Sequence, residues 1–213
     1  LQTRDNWVSR LGVKLVVGAG MVIGTAGVFL LTRIESGSTY SDFLTPLLML
    51  GFAIGLSVSP ATDTIMGSFP ESELGVGGGA NDTALELGGS LGIAILGSLL
   101  ATSYKDKLTD LVGGHLPAAA LDIAKDSCGG GIAVAEQVAN NPQGGAQQAQ
   151  TLLGAVHESF AHAVAHTSLI GGIIMAVGTL IVFVVLPGRG HTTEPGEEET
   201  ARVTEMEPKA VDA

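Results

Sequence analysis

The stretch Gly77–Leu100, GGGANDTALELGGSLGIAILGSLL, decides how the rest of the chain is interpreted. It has the composition of a glycine-rich apolar helix, yet two carboxylates, Asp82 and Glu86, lie four residues apart near its start. Four residues make slightly more than one helical turn, so both acids lie on the same side of a helix. A helix cap, a metal site and a proton-handling pair are the three roles that this arrangement allows.

The composition of the whole chain favours a membrane protein. Its 213 residues are 46% apolar and only 15% charged, with a mean hydropathy of +0.41, which is high for a soluble globular domain. Glycine accounts for 31 residues. A glycine inside a water-soluble helix costs roughly 1 kcal/mol, whereas membrane helices use small residues to approach each other closely.

Four uncharged runs are long enough to cross a bilayer, namely 15–32, 43–62, 87–104 and 167–186. A helix needs about 20 residues for this, and in lipid the backbone must satisfy its own hydrogen bonds, which excludes isolated strands. One such run is compatible with the core of a large soluble protein, but four in a chain this short are not. We therefore predict an all-α polytopic membrane protein with about four transmembrane helices, at 13–33, 43–66, 80–104 and 159–188.

The other segments are predicted to lie outside the membrane. Residues 105–158 are polar and contain the breakers GGHLP, CGGG and NNPQGG, so they are expected to form a long external loop with short helices. After Gly145 the pattern turns helical and is expected to continue unbroken into the last span. Residues 189–213 are acidic and poor in apolar residues, which predicts a disordered tail. The chain starts without Met or a leader pattern, and we expect a carboxy-terminal portion of a longer polytopic protein.

Charge and cysteine content narrow the function. The formal net charge is −11, much of it in the tail, and no basic patch is present, so a nucleic-acid partner is not expected. The single Cys128 excludes an internal disulfide. Arg10 and Lys14 precede the first span and Arg189 follows the last one. By the positive-inside rule, this places both ends in the cytoplasm of a cell-membrane protein.

Three acids are candidates for proton coupling or substrate binding. Asp82 suits either an amino-terminal helix cap, which the helix dipole favours, or such a functional role. Glu86 lies roughly 6 Å deeper along the helix, where a carboxylate faces water, pairs with a partner or takes up a proton, since loss of water disfavours its charged form. Asp63, near the inner end of the second span, is either interfacial or functional.

Pairs of glycines four residues apart mark faces on which helices can pack closely. We predict this role for Gly88 and Gly92 on the third span and for Gly51 and Gly55 on the second. A similar pair occurs at Gly20 and Gly24 on the first.

These motifs resemble the end of the fourteen-span drug:proton antiporter branch of the major facilitator superfamily. The resemblance rests on the opening stretch, on the preceding GFAIGLSVSPATDTIMGSFP and on the long loop before the last span. The matching positions in the penultimate helix are Asn81, Glu86, Leu87, Gly88, Gly89, Leu91, Gly92, Ala94 and Gly97.

The resemblance implies export of hydrophobic or cationic compounds in exchange for protons, with the lipid bilayer, substrate, protons and the rest of the transporter chain as partners. It covers nearly the whole chain except the tail. The family commonly has Arg where this chain has Glu86, so the local charge is reversed and the family's role for that position does not transfer directly. A non-transporting membrane scaffold that packs through its glycine faces is the alternative.

The remaining motifs do not define an enzyme. HESFAH at 157–162 has one residue too many for a zinc-protease motif, although His162 and His166 have the i,i+4 spacing of a metal or proton-relay pair. Polar packing at the outer mouth of the last helix is the alternative role for these histidines. GVGGGA at 75–80 lacks the end of a phosphate loop and is expected to be a flexible turn. We predict no catalytic residues, no cofactor and no metal site.

Overall fold

A computed structural model describes residues 12–114, 116–140 and 145–186. These residues form six α-helices and a short 3₁₀ turn, Glu71–Glu73, and contain no strand. The helices are α1 Val13–Leu31, α2 Tyr40–Met66, α3 Leu74–Val112, α4 Ala118–Asp126, α5 Cys128–Asn140 and α6 Ala146–Val185.

Four of these helices, α1, α2, α3 and α6, are long and apolar enough to cross a membrane. The all-α polytopic architecture predicted from the apolar runs is therefore confirmed. The helix α6 runs unbroken from Ala146 to Val185, as the pattern after Gly145 predicted. The predicted disordered tail, 189–213, lies outside the described residues, and the placement of 105–158 outside the membrane stays a prediction.

Glycines on α1 let this helix approach α2 and α6 closely. A Cβ atom built on Gly24 would lie 2.9 Å from the Cβ of Ala53 on α2, and one built on Gly18 would lie 2.6 Å from the ring of Phe183 on α6. A hydrogen bond of 3.1 Å between Thr25 and Thr179 adds a polar link from α1 to α6. Because α3 also packs against α6, the main contacts between the long helices run in the order α2, α1, α6, α3, and α3 also touches α2 near the turn that joins them.

The helix α3 begins earlier than the sequence indicated. It starts at Leu74 and continues through Gly75–Gly79, so the flexible turn expected there is wrong. The turn that joins α2 to α3 comes before it, between Gly67 and the 3₁₀ residues. Glycine weakens a helix but does not end it. In this helix the ring of Phe69 packs against Gly77: a Cβ there would lie 2.8 Å from the ring, so a side chain would require the ring to move.

The main buried cluster lies towards the end of α3, where α4, α5 and the first half of α6 pack around it. The described residues of 105–158 therefore include the short helices expected there, α4 and α5, which pack with the ends of α3 and α6 into a folded helical cap. Its centre is occupied by Tyr104, Leu108, Val112, Ala124, Val134, Ala135, Leu152, Val156 and Ala163.

Candidate functional site

Asp82 is the ninth residue of α3 and is exposed. Because the helix starts at Leu74, the interpretation of Asp82 as an amino-terminal cap is wrong. Its carboxylate instead accepts a hydrogen bond of 3.4 Å from the side-chain amide of Asn81. Asn81 is the only buried polar residue in the first half of the described α3, with 8% of its surface exposed.

Asn81 also links α3 to α2. The hydroxyl of Thr62 donates a hydrogen bond of 3.5 Å to the side-chain oxygen of Asn81. The two helices are therefore joined near the end of α2 by a short polar chain, Thr62–Asn81–Asp82. Asp63 follows Thr62 directly and is exposed. The structure therefore places two of the three candidate acids, Asp63 and Asp82, at this helix junction. The sequence contains no signal for the contact itself, because it depends on how α2 and α3 cross.

Glu86 lies one turn further along α3 and is exposed. None of the described residues forms an ion pair or a hydrogen bond with its carboxylate; the hydroxyl of Ser90 donates instead to its backbone carbonyl. Leu85 and Leu87 beside it are also exposed, at 54% and 58%. An unpaired carboxylate among exposed apolar side chains is costly in lipid, so it faces water, binds a proton or meets a group outside the described residues.

The membrane part of α3 is the least covered of the four long helices. In its most apolar stretch of 18 consecutive residues, none is buried against the described chain, compared with 28% in the corresponding stretch of α1. Between α3 and α6 lies an open apolar groove of about 470 Å³. Its lining consists of Gly88, Gly89, Gly92, Ile93, Leu96, Gly97, Leu100 and Thr167.

The four glycines predicted to pack helices together all lie in open space. Around Gly51, Gly55, Gly88 and Gly92, no described atom lies within 4 Å of the position that a Cβ would occupy. The role of these four in packing therefore stays a prediction, and it needs a partner beyond the described residues. By contrast, Gly20 and Gly24, the pair on α1, do make close contacts.

A second polar cluster joins α3 to α6 close to the cap. Ser103 Oγ and His166 Nδ1 lie 2.9 Å apart, and Lys107 pairs with Glu158 at 3.2 Å. The rings of His162 and His166 are parallel, with centroids 6.2 Å apart. No group of three metal-ligating side chains occurs among the described residues. The contacts that these groups do make fit the polar packing that the sequence offered as one alternative.

Together, the four long apolar helices define the class: this is a polytopic α-helical membrane protein, with an unpaired carboxylate on one of its candidate spanning helices. Comparison with known proteins then gives its relatives. The chain is 32% identical over 165 residues to the methyl viologen resistance protein SmvA of Salmonella typhimurium, covering 76% of this chain and 31% of SmvA. It is 27% identical over 173 residues to the multidrug efflux pump LfrA of Mycolicibacterium smegmatis, covering 81% and 33%.

A third relative, a tetracycline resistance determinant of Streptomyces rimosus, is 30% identical over 205 residues, covering 87% of this chain and 56% of that protein. No family model matches the chain. The chain spans between about a third and about half of the length of these curated relatives. The resemblance to drug efflux and resistance transporters, which the sequence motifs indicated, is confirmed.

Proposed function

We propose that this chain is the carboxy-terminal part of a proton-coupled exporter of hydrophobic or cationic compounds, of the fourteen-span antiporter branch of the major facilitator superfamily. The observation that carries the proposal is the similarity to SmvA and LfrA over three quarters or more of the chain. Methyl viologen, named for SmvA, is an aromatic dication, which matches the expected substrate class. The proposed location is the cell membrane, with both ends in the cytoplasm.

Glu86 is the group that we propose for coupling. A carboxylate in an apolar environment takes up a proton more readily than in water, because desolvation disfavours its charged form. The same carboxylate is stabilised by a cation. A proton and a cationic substrate therefore compete for one site, and this competition is the simplest physical basis for exchange. The exposed position of Glu86 leaves its carboxylate open to either of them.

Asp82 and Asp63 are proposed to act with Glu86. Asp82 is four residues from Glu86 on the same side of α3, and Asp63 lies beside the hydrogen-bonded junction of α2 and α3. Negative charge at all three positions attracts cations and protons to this end of the helices. The rise along α3 from Asp82 to Glu86 is about 6 Å.

Efflux driven by a proton gradient tests this proposal. The full-length protein that contains this chain is reconstituted in vesicles, and methyl viologen transport is measured for the native protein and for Glu86→Gln. We expect a loss of roughly tenfold or more, equivalent to about 1.4 kcal/mol in the activation free energy. Glu73→Gln, which removes an exposed carboxylate from the turn before α3, is the matched control and should keep its activity.

Two results would contradict the proposal. Unchanged coupling in Glu86→Gln would remove this residue from the mechanism. No gradient-driven transport of any cationic or hydrophobic test compound by the native protein would instead favour the scaffold that the sequence left as an alternative. The similarity to named efflux and resistance transporters supports the exporter over this scaffold.

A further inference from the structure

A pocket of about 240 Å³ lies where the end of α1 meets the start of α2. Buried Ile34 and Pro46 contribute to its apolar wall, and exposed Arg33 and Asp42 bring one positive and one negative charge to its lining. The pocket therefore combines an apolar wall with both signs of charge, and neither the proposed transport nor the cap uses it.

The two charged groups of this pocket do not pair with each other. No ion pair joins the guanidinium of Arg33 to the carboxylate of Asp42, although both residues line the same small space. On Asp42, Oδ2 accepts two hydrogen bonds from Thr39, one of 2.7 Å from the backbone N–H and one of 3.0 Å from the hydroxyl. Within the described chain, Oδ1 of Asp42 and the guanidinium have no hydrogen-bond partner. A donor group and an acceptor oxygen are thus held apart around one pocket, which suits a ligand that carries both charges.

The position of this pocket along the chain puts it at a membrane boundary. Arg33 is the first charged residue after the uncharged run 15–32, and Asp42 is the last one before the run 43–62. Both α1 and α2 are candidate spanning helices, so the two charges lie at the level where lipid head groups meet water. Leu47, 56% exposed on the second turn of α2, belongs to the apolar surface that begins beside this level and is available to acyl chains.

The chemistry of the two charged groups selects a class of head group. The planar guanidinium of an arginine binds phosphate oxygens through two parallel N–H bonds, and a carboxylate oxygen accepts a hydrogen bond from an ammonium. The ethanolamine head group, a phosphodiester next to a primary ammonium, supplies both partners. A glycerol head group has the phosphate but no cation for Asp42, and a choline head group has a cation without an N–H to donate. Of these three head groups, ethanolamine therefore fits the pocket best.

We propose that this pocket binds the head group of a phosphatidylethanolamine molecule, with its phosphate on the guanidinium of Arg33 and its ammonium on Oδ1 of Asp42. The acyl chains would lie in the bilayer against the neighbouring apolar surface of α2. This site goes beyond the proposed function, because it depends only on the membrane location and holds whether or not the chain exports drugs.

Native mass spectrometry of the full-length protein that contains this chain tests the proposal. The protein is purified in detergent and mixed with equal amounts of dioleoyl phosphatidylethanolamine, phosphatidylglycerol and phosphatidylcholine, which differ in mass but carry the same acyl chains. The variants are Arg33→Gln and Asp42→Asn; the asparagine keeps an oxygen for the two bonds from Thr39, so the start of α2 stays capped. Glu35→Gln is the matched control, because it removes an exposed charge from the same turn and does not line the pocket.

We expect the native protein and Glu35→Gln to retain phosphatidylethanolamine in preference to the other two lipids. Arg33→Gln should retain roughly three- to tenfold less of it, and Asp42→Asn should lose the preference over phosphatidylglycerol. Equal retention by the native protein and Arg33→Gln, or no preference among the three lipids in the native protein, would overturn the proposal.

The soluble head group, glycerophosphoethanolamine, separates a lipid from a free zwitterion as the ligand. An equal amount of it should leave the bound phosphatidylethanolamine in place, because it lacks the acyl chains. Displacement of the lipid under these conditions would overturn the proposal and assign the pocket to a soluble zwitterion. None of these readouts uses transport, so a failure here leaves the proposed exporter function intact.

Discussion

The hydroxyl of Tyr104 on α3 donates a hydrogen bond of 2.9 Å to the carbonyl oxygen of Ala124 in the last turn of α4. The last carbonyls of a helix have no partner inside the helix, so this bond supplies one that α4 cannot provide. Both residues are buried in the cap cluster. The contact therefore fastens the short helices of the cap to the end of a membrane-spanning helix.

Replacement of Tyr104 by phenylalanine should loosen the cap without changing its shape. The substitution leaves a buried carbonyl without its partner, which costs about 1–3 kcal/mol. We expect backbone amides of α4 and α5 that exchange by local opening of the cap to exchange with deuterium roughly 5- to 150-fold faster. Hydrogen-exchange mass spectrometry in detergent measures this change. Tyr40→Phe is the control, because Tyr40 is 78% exposed, and equal exchange rates in the two variants would contradict the assignment.

Gly131 on α5 should tolerate no side chain. A Cβ there would lie 2.7 Å from Val156 Cγ2 and 2.9 Å from the hydroxyl oxygen of Tyr104, both in the cap cluster. Overpacking of this kind costs about 1–3 kcal/mol, so we expect Gly131→Ala to lower the midpoint of thermal unfolding. Gly154→Ala places the same methyl group on α6 in open space and should raise stability by up to about 1 kcal/mol through helix propensity. Two equal shifts in the midpoint would refute the packing described around Gly131.

Cys128, at the start of α5, should react slowly with thiol reagents at neutral pH. Burial raises the pKa of its thiol, and only the thiolate is nucleophilic. The labelling rate should therefore rise at a higher pH than for an exposed cysteine. The measurement is the maleimide labelling rate against pH. The control is Gly114→Cys in a Cys128→Ser background, since the Gly114 position is exposed. A profile for Cys128 that inflects at or below that of the control would contradict the expected direction.

Hydropathy and length were sufficient to predict the four long helices, because each apolar run had to span a bilayer with its backbone bonds satisfied internally. The same logic failed at the start of α3. The glycines at 75–79 suggested a turn, and the residue type of Asp82 suggested a helix cap just after it. A local pattern cannot show that the ring of Phe69 packs closely against Gly77, a contact that a glycine inside the helix accommodates.

The candidate acids could be found from sequence, but their surroundings could not. An acid inside an apolar run is conspicuous, whereas the bond from Thr62 to Asn81 joins two ordinary polar residues on different helices. The bond between Ser103 and His166 is a similar case, since 63 residues separate its partners. Such pairs arise from helix crossings, which depend on side-chain packing along the whole interface.

The polar junction of α2 and α3 provides a last prediction, which concerns coupling between two residues. Thr62 donates to Asn81, and Asn81 donates to Asp82, so removal of either Thr62 or Asn81 breaks the same link. Under the proposed exporter function, we expect Thr62→Val and Asn81→Leu each to reduce efflux by the full-length protein, and the double variant to lose less than the sum of the two effects. The coupling free energy should be about 0.5–1.5 kcal/mol, as for a typical hydrogen bond. Thr83→Val, which removes a hydroxyl bonded within its own helix, is the control and should show no coupling to Asn81→Leu. Additive losses for the pair Thr62 and Asn81 would mean that the junction does not hold the two helices together during transport.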